Sequence, residues 1–265
     1  MKKPILYIVA VPIGNYKDFT FRAVETLMTV DMVIGEERAT TERLLKIVRV
    51  ELNAPLSKGG KGGMIPNVDT SGLELSATEQ IHETSQVEAN FTPTIFILNE
   101  HNEKEETITI FNYIVENKLS AALISEAGTP CFADPGASLV DLFHKNNLTV
   151  IPIPGVSSIM ATMMVSGVLD NQGFYYFGFL SPKTEIRQSQ LKKLNKEKLP
   201  VIIMETPYRM KPLLKDIQSI CESDKRIVFA YKLTQPEELI IKSTISDVIN
   251  KTKDLKKGEF VIILT

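Results

Sequence analysis

The chain has 265 residues, enough for two modest domains, and its 43% hydrophobic and 23% charged content is that of an ordinary globule. A net charge of −2 provides no broad positive field to draw the molecule onto nucleic acid, so any RNA contact has to be local. No apolar run approaches the ~20 residues of a membrane helix, and no membrane partner is expected.

Met1-Lys2-Lys3-Pro4 leads straight into a short apolar run at 5–10, which reads as a first strand and not as a secretion signal. The expected location is cytoplasmic. Short β-rich runs then alternate with amphipathic stretches. Residues 5–11, 32–34, 94–98, 121–125 and 149–153 are predicted strands, and 20–29, 39–48, 104–117 and 137–146 are predicted helices. That alternation specifies βαβ units and a mostly parallel sheet, with ligand loops gathered at the carboxyl ends of the strands.

After Gly173 the pattern changes. Predicted strands at 174–180, 201–205, 226–234, 238–245 and 259–264, with helices at 184–194, 209–221 and 246–251, give a mixed sheet. The fold class expected is therefore α/β, two α/β/α domains at 1–154 and 155–265. Residues 53–91 fit neither: they are rich in Gly, Ser, Thr and Glu, include Ser57-Lys58-Gly59-Gly60-Lys61-Gly62-Gly63, and read as an insertion in the first domain. The glycine cluster lacks the Lys-Ser/Thr ending of a phosphate loop.

The segment with the most chemistry is Ser125-Glu126-Ala127-Gly128-Thr129-Pro130-Cys131-Phe132-Ala133-Asp134-Pro135-Gly136, between a strand and a helix. A plain connection needs only two to six residues, so the extra length with two prolines suggests a shaped pocket. Ala127 and Gly128 would let backbone approach a ligand, and Asp134 would cap the helix that follows. Cys131 and Cys221 offer neither a disulfide framework nor zinc spacing and read as small buried side chains; no metal is expected. A basic stretch, Lys183, Arg187, Lys192, Lys193, Lys196 and Lys198, reads either as a solvated helix face or as a phosphate-binding one.

These motifs resemble the tetrapyrrole methylases, and within them the branch of ribosomal RNA cytidine 2'-O-methyltransferases. Leu6 to Asn15, Asn99 to Glu103, Ser125 to Gly136 and Pro154 to Ser158 match the family's loops in the first half. In the second half, Gly178 to Lys183, Glu205 to Arg209 and Lys257 to Val261 follow in the family's order. The chain departs from the family pattern at Val11, Glu37, Arg38, Ala39, Glu126 and Tyr208.

The resemblance implies S-adenosyl-L-methionine as cofactor, folded in a cleft between the domains, with contacts from Pro12, Gly14, Ser125, Glu126, Ala127, Gly128, Ser157, Phe179, Leu180 and Thr206. It implies a homodimer acting on ribosomal RNA or the small ribosomal subunit, with substrate contacts from Arg38, Asn102, Lys183 and Arg187. Two alternatives stand beside it: a methylase acting on a tetrapyrrole-like ring, and a regulatory protein that binds the cofactor without catalysis.

Methyl transfer from a sulfonium is an in-line displacement, and a hydroxyl nucleophile benefits from a base. His101, Glu100 and Glu37 are the candidates; Glu100 or Asn102 could fix the imidazole tautomer, though His101 could equally be structural. Arg38 either holds a phosphate or pairs with Glu37 or Glu42.

Overall fold

The computed structural model describes residues 3–52, 93–168, 173–222 and 224–265. The expected insertion at 53–91 lies outside the described residues. In the first half, β1 (Ile5–Val9), β2 (Met32–Gly35), β3 (Thr94–Ile97), β4 (Ser120–Ile124) and β5 (Thr149–Ile153) form one parallel sheet in the order β3-β2-β4-β1-β5. Both faces of this sheet are covered, which is why β2 and β4 are buried along their whole length rather than alternating.

On one face, α1 (Phe21–Thr29) and α2 (Arg38–Ile47) bring Ala23, Leu27, Leu44 and Leu45 onto Val9, Val33, Ala122 and Ile124. On the other, α3 (Glu103–Glu116) and α4 (Ala137–Lys145) bring Ile110, Ile114, Leu139 and Phe143 onto Leu6, Met32, Ile34 and Leu123. Thr20 starts α1 by accepting the Ala23 N–H at 3.2 Å.

The second half contains α5 (Ser158–Ser166), β6 (Tyr175–Phe179), α6 (Thr184–Leu194), β7 (Val201–Glu205), α7 (Met210–Ile220), β8 (Arg226–Tyr231), β9 (Leu239–Thr244), α8 (Ile245–Thr252) and β10 (Phe260–Leu264). Its sheet runs β6-β7-β10-β8-β9, with β6 and β7 parallel and the remaining pairs antiparallel. The α6, α7 and α8 helices bury one face around Leu191, Leu213, Ile217, Phe229 and Ile262. Ile159 of α5 packs on the other, against Ile202, Val228, Val261 and Ile263. The molecule is thus two α/β/α units, the first with a parallel sheet and the second with a mixed one.

Two differences from the sequence reading have clear causes. Helix α5 was not anticipated, because Ser-Ile-Met-Ala-Thr-Met-Met-Val-Ser is apolar on nearly every side and has no amphipathic period to read. The strand expected at 226–234 ends at Tyr231, since Lys232 and Thr234 take positive φ values of 46° and 65° and turn the chain. Among the described residues no helix is long and apolar enough to cross a membrane.

Candidate active site

Strand order decides where the loops meet. β4 lies between β2 and β1, so the loop after it (125–136) borders the loops after β2 and β3 on one side and those after β1 and β5 on the other. Val9 is level with Ile124 and with Ile153, which brings these loops out at the same height. The 125–136 loop is tied to the first loop by reciprocal bonds, Val11 N–H to Gly128 O at 2.8 Å and Gly128 N–H to Val11 O at 3.0 Å. Thr129 Oγ1 donates to Val156 O at 3.0 Å and ties it to the fifth.

Toward β2 and β3 lies an open cavity of about 540 Å³, lined by Glu36, Glu37, Asn99, Glu100, His101, Glu103, Glu126, Ala133, Asp134 and Pro135. Among the described residues of this lining, six are carboxylates and none is a lysine or arginine. Burial pushes the Glu36 carboxyl up to about 7, helped by the charges of Asp134 and Glu126, while the Glu126 backbone N–H bonds to it and works the other way. Burial likewise raises Asp134 to about 6, with Glu126 adding to the effect. Glu126 is itself raised, by burial and then by the charge of Glu37 and a hydrogen bond with it.

Toward β1, β5 and the second sheet lies an apolar slot of about 290 Å³. Ile13, Ala127, Ser158, Phe179, Met204, Thr206, Pro207, Leu233, Phe260 and Val261 line it, with Glu205, Ala230, Gln235 and Glu259. A smaller cavity of about 80 Å³ shares Ala127, Ser158, Phe179 and Met204 with the slot, and Ala133 and Asp134 with the acidic cavity. The three therefore form one trough. Phe132 from the 125–136 loop packs at a tilt against Tyr176 of β6 with ring centroids 4.7 Å apart, joining the two units across it.

The residues singled out from the sequence divide into those that reach the trough and those that do not. Ala127, Phe179 and Thr206 line the slot, Ala127, Gly128, Ser157 and Phe179 the small cavity, and Glu37, Glu100, His101 and Glu126 the acidic cavity. Gly128 has φ +83°, and a Cβ there would meet Ile13 Cγ2 at 3.3 Å, so the backbone borders the small cavity where only glycine sits without strain.

The others have different work. Pro12 is buried and borders none of these cavities. Gly14 abuts the 233–235 turn, where a Cβ would meet Gln235 Cγ at 2.5 Å. Ser125 is buried, its hydroxyl donating to Ala127 O and Gly128 O, each at 3.3 Å. Leu180 is 1% exposed in the core of the second unit. It packs in one cluster with Leu191 and Leu194 of α6 and Leu213 of α7, and it lines none of the three cavities.

Two substrate expectations are corrected in the same way. Arg187 is 4% exposed; its Nε donates to Asp216 Oδ2 at 2.7 Å and its Nη1 to Pro182 O at 3.1 Å, so it holds α6 to α7 and is closed to a phosphate. Asn102 spends its amide on its own loop, accepting the Asn99 N–H at 2.8 Å and donating to Ile97 O at 3.0 Å. It therefore neither reaches a ligand nor fixes an imidazole. Arg38 lies 3.5 Å from Glu42, one turn on, and also donates to Ile95 O at 3.4 Å. Lys183 is exposed at the start of α6.

His101 sits at the rim with its side chain 86% exposed and its Nε2 3.7 Å from Glu100 Oε1, too far for a hydrogen bond that would set its tautomer. Asp134 does not cap α4. The cap position is Gly136, at φ 116°, and its N–H is taken by Glu103 Oε1 at 3.0 Å, which leaves Asp134 turned into the trough. Cys131 is half-buried against the first core, which raises its thiol to about 11 and leaves it inert. Among the described residues no three of His, Cys, Asp and Glu are arranged to hold a metal ion.

Sequence reasoning missed Glu36 and Asp134 as site residues. Glu36 directly follows β2, one residue before Glu37, and both line the acidic cavity; Glu36 is the half-buried one and Glu37 the exposed one.

This geometry has relatives. The family model of tetrapyrrole (corrin/porphyrin) methylases matches residues 5–249. The chain belongs to that family. It is 29% identical over 261 residues to ribosomal RNA small subunit methyltransferase I of Bacillus subtilis, covering 98% of this chain and 74% of that protein. To the protein of the same name from a Synechocystis species it is 31% identical over 261 residues, covering 98% and 78%. Among solved structures, the uroporphyrin III C-methyltransferase of Thermus thermophilus superposes with a TM-score of 0.58 at 13% identity, over 98% of this chain and 96% of that one. A diphthine synthase superposes at 0.61 with 12% identity, over 98% and 90%. Family and fold together make this chain a methyltransferase.

Proposed function

We propose that the protein transfers a methyl group from S-adenosyl-L-methionine to a ribose 2'-hydroxyl of small-subunit ribosomal RNA. The observation that carries the reading is the continuity of the apolar slot with the acidic cavity through the 125–136 loop, in a chain aligned over 98% of its length with relatives named as small-subunit RNA methyltransferases. An adenosine fits the slot: Ile13, Phe179, Met204 and Leu233 offer apolar surface, and Gly128 in the adjoining small cavity lets the chain come close to a ligand. Ser157 and Ser158, at the start of α5, would meet its polar tail, where a helix N-terminus favours a carboxylate. When bound, the cofactor supplies an electrophilic methyl group.

The chain's own residues would then align the acceptor and exclude water. RNA phosphates are repelled by six carboxylates, so a single sugar and base would enter the acidic cavity while the backbone stays at its rim, near the exposed Arg38, Arg43 and Lys104. Lys183, Lys192, Lys193, Lys196 and Lys198, all exposed on or beside α6, are a second candidate for backbone contact. A tetrapyrrole bearing acidic side groups would meet the same repulsion over its whole face, which favours the RNA reading.

Residues 1–154 and 155–265 are taken as the two domains, with the cofactor between them. A homodimer is part of the same proposal, supported by the exposed Met160, Met164 and Val165 on α5. A cytoplasmic location accords with that substrate.

The test is transfer of labelled methyl to protein-free ribosomal RNA and to assembled small subunits, followed by digestion to nucleosides. Label in a 2'-O-methyl nucleoside from either substrate is the expected result. Cofactor binding without transfer to RNA would leave the tetrapyrrole and regulatory readings.

A further inference from the structure

A hydroxyl becomes a competent nucleophile as its proton leaves, so the acidic cavity has to contain a group placed to take it. Among the described residues, its seven ionisable groups are not equivalent. Glu100 and His101 are rim residues with side chains 84% and 86% exposed. Glu103 is spent on the Gly136 N–H. Glu37 accepts from Thr40 Oγ1 at 3.1 Å and is exposed, and Glu126 is hydrogen-bonded to Glu37.

Two carboxyls remain that are half-buried and face each other's charge, Glu36 after β2 and Asp134 in the 125–136 loop. Asp134 is the one carboxylate, among the described residues, that lines both the acidic cavity and the small cavity leading to the slot. Glu36 is held by the Glu126 backbone N–H.

We propose that Glu36 is the proton acceptor for the hydroxyl that is methylated, and that Asp134 is the positioning residue that stands between it and the methyl donor. The proposal rests on the RNA reading above and names a residue for its chemistry. The hydroxyl oxygen forms a bond to the methyl carbon as the carbon–sulfur bond breaks with its electron pair going to sulfur. The hydroxyl proton passes to a Glu36 carboxylate oxygen and from there to solvent through the open cavity.

The charges facing Glu36 are those of Asp134 and Glu126 from the 125–136 loop and Glu100 and His101 from the loop after β3. Glu103 adds one from α3, and Glu37 and Arg43 add theirs from the α2 end. Burial first, then the charges of Asp134, Glu126 and Glu100, raise Glu36 to about 7, which suits a base at neutral pH.

The experiment compares kcat against pH for the unsubstituted protein, Glu36→Gln and Asp134→Asn on the better of the two RNA substrates, with S-adenosylhomocysteine affinity as the control for folding. Unsubstituted protein should gain activity as pH rises through about 7. Glu36→Gln should lose roughly 10²- to 10⁴-fold in kcat, keep its affinity for S-adenosylhomocysteine, and no longer show that rise. Asp134→Asn removes a negative neighbour, so the rise should move to lower pH. Full kcat in Glu36→Gln, or an unmoved rise near pH 7 in both variants, would overturn the proposal. Absence of transfer by unsubstituted protein that still binds S-adenosylhomocysteine would instead overturn the RNA reading, and the proton acceptor with it.

Discussion

The two ends of the trough are built from the same loop and could hardly differ more. Where the 125–136 loop faces β2 and β3, it joins six carboxylates around an open cavity of about 540 Å³; where it faces β1, β5 and the second sheet, it closes an apolar slot of about 290 Å³. The difference teaches how a parallel sheet divides labour. Strand order fixes which loops become neighbours, and the loop of the strand in the middle carries one chemistry to each side. The apolar end recognises by shape and desolvation, whereas the acidic end works through charge and proton affinity.

Arg187 lies in neither end and serves as the outer control. Arg187→Ala should destabilise the fold by about 3–5 kcal/mol, because it leaves Asp216 charged and buried without its partner. Ligand affinities of the folded fraction should not change. Chemical denaturation checks the first, calorimetry the second, and a specific loss of RNA binding would return Arg187 to the substrate surface.

Gly128→Val sharpens the apolar end. A β-branched residue at φ +83° is strained and its side chain meets Ile13, so S-adenosylhomocysteine affinity should fall by about 2 kcal/mol, roughly 30-fold. Equal binding by both proteins would remove the loop from the cofactor site.

The acidic end can be probed without any substrate. Glu36 and Asp134 have folded-state values above their ordinary ones, so the folded protein binds more protons than the unfolded chain between about pH 4 and 7. Their stabilising contribution is therefore complete below that window and lost as pH rises through it. Glu36→Gln should then be more stable than the unsubstituted protein at pH 8, by on the order of 1 kcal/mol after solvent screening of a half-exposed group, with the advantage vanishing near pH 4. Melting curves at the two pH values read this directly. An advantage of equal size at both would mean the cavity imposes no charge strain on Glu36.

Smallest is the effect of Lys192, Lys193 and Lys196 changed together to Ala. If α6 tracks an RNA backbone, affinity should fall several-fold at low salt and the slope of log K against log salt should flatten by about 2. An unchanged slope would make α6 a solvated face and move the search to Arg38, Arg43 and Lys104.

Most strands were legible because their apolar runs are short and bounded by turns, and the loops at their mouths carried unusual composition. What escaped has physical reasons. Helix α5 is apolar all round, so no period marked it. Asp134 looked like a helix cap two residues before Gly136, yet the cap position is taken by a left-handed glycine whose N–H goes to Glu103, a partner 33 residues away in sequence. Arg187 read as part of a basic patch, since no local feature reveals that Asp216 waits one helix later. The misses at Asp134 and Arg187 turned on contacts between distant segments, which composition and spacing do not encode.

The central claim is the division of the trough, and a crystal structure with bound S-adenosylhomocysteine tests it most directly. The adenosine should lie in the slot against Ile13, Phe179 and Met204, with the sulfur at the Ala133–Asp134 end opening toward Glu36. A ligand seated instead among Glu37, Glu100 and His101, with the slot empty, would contradict it.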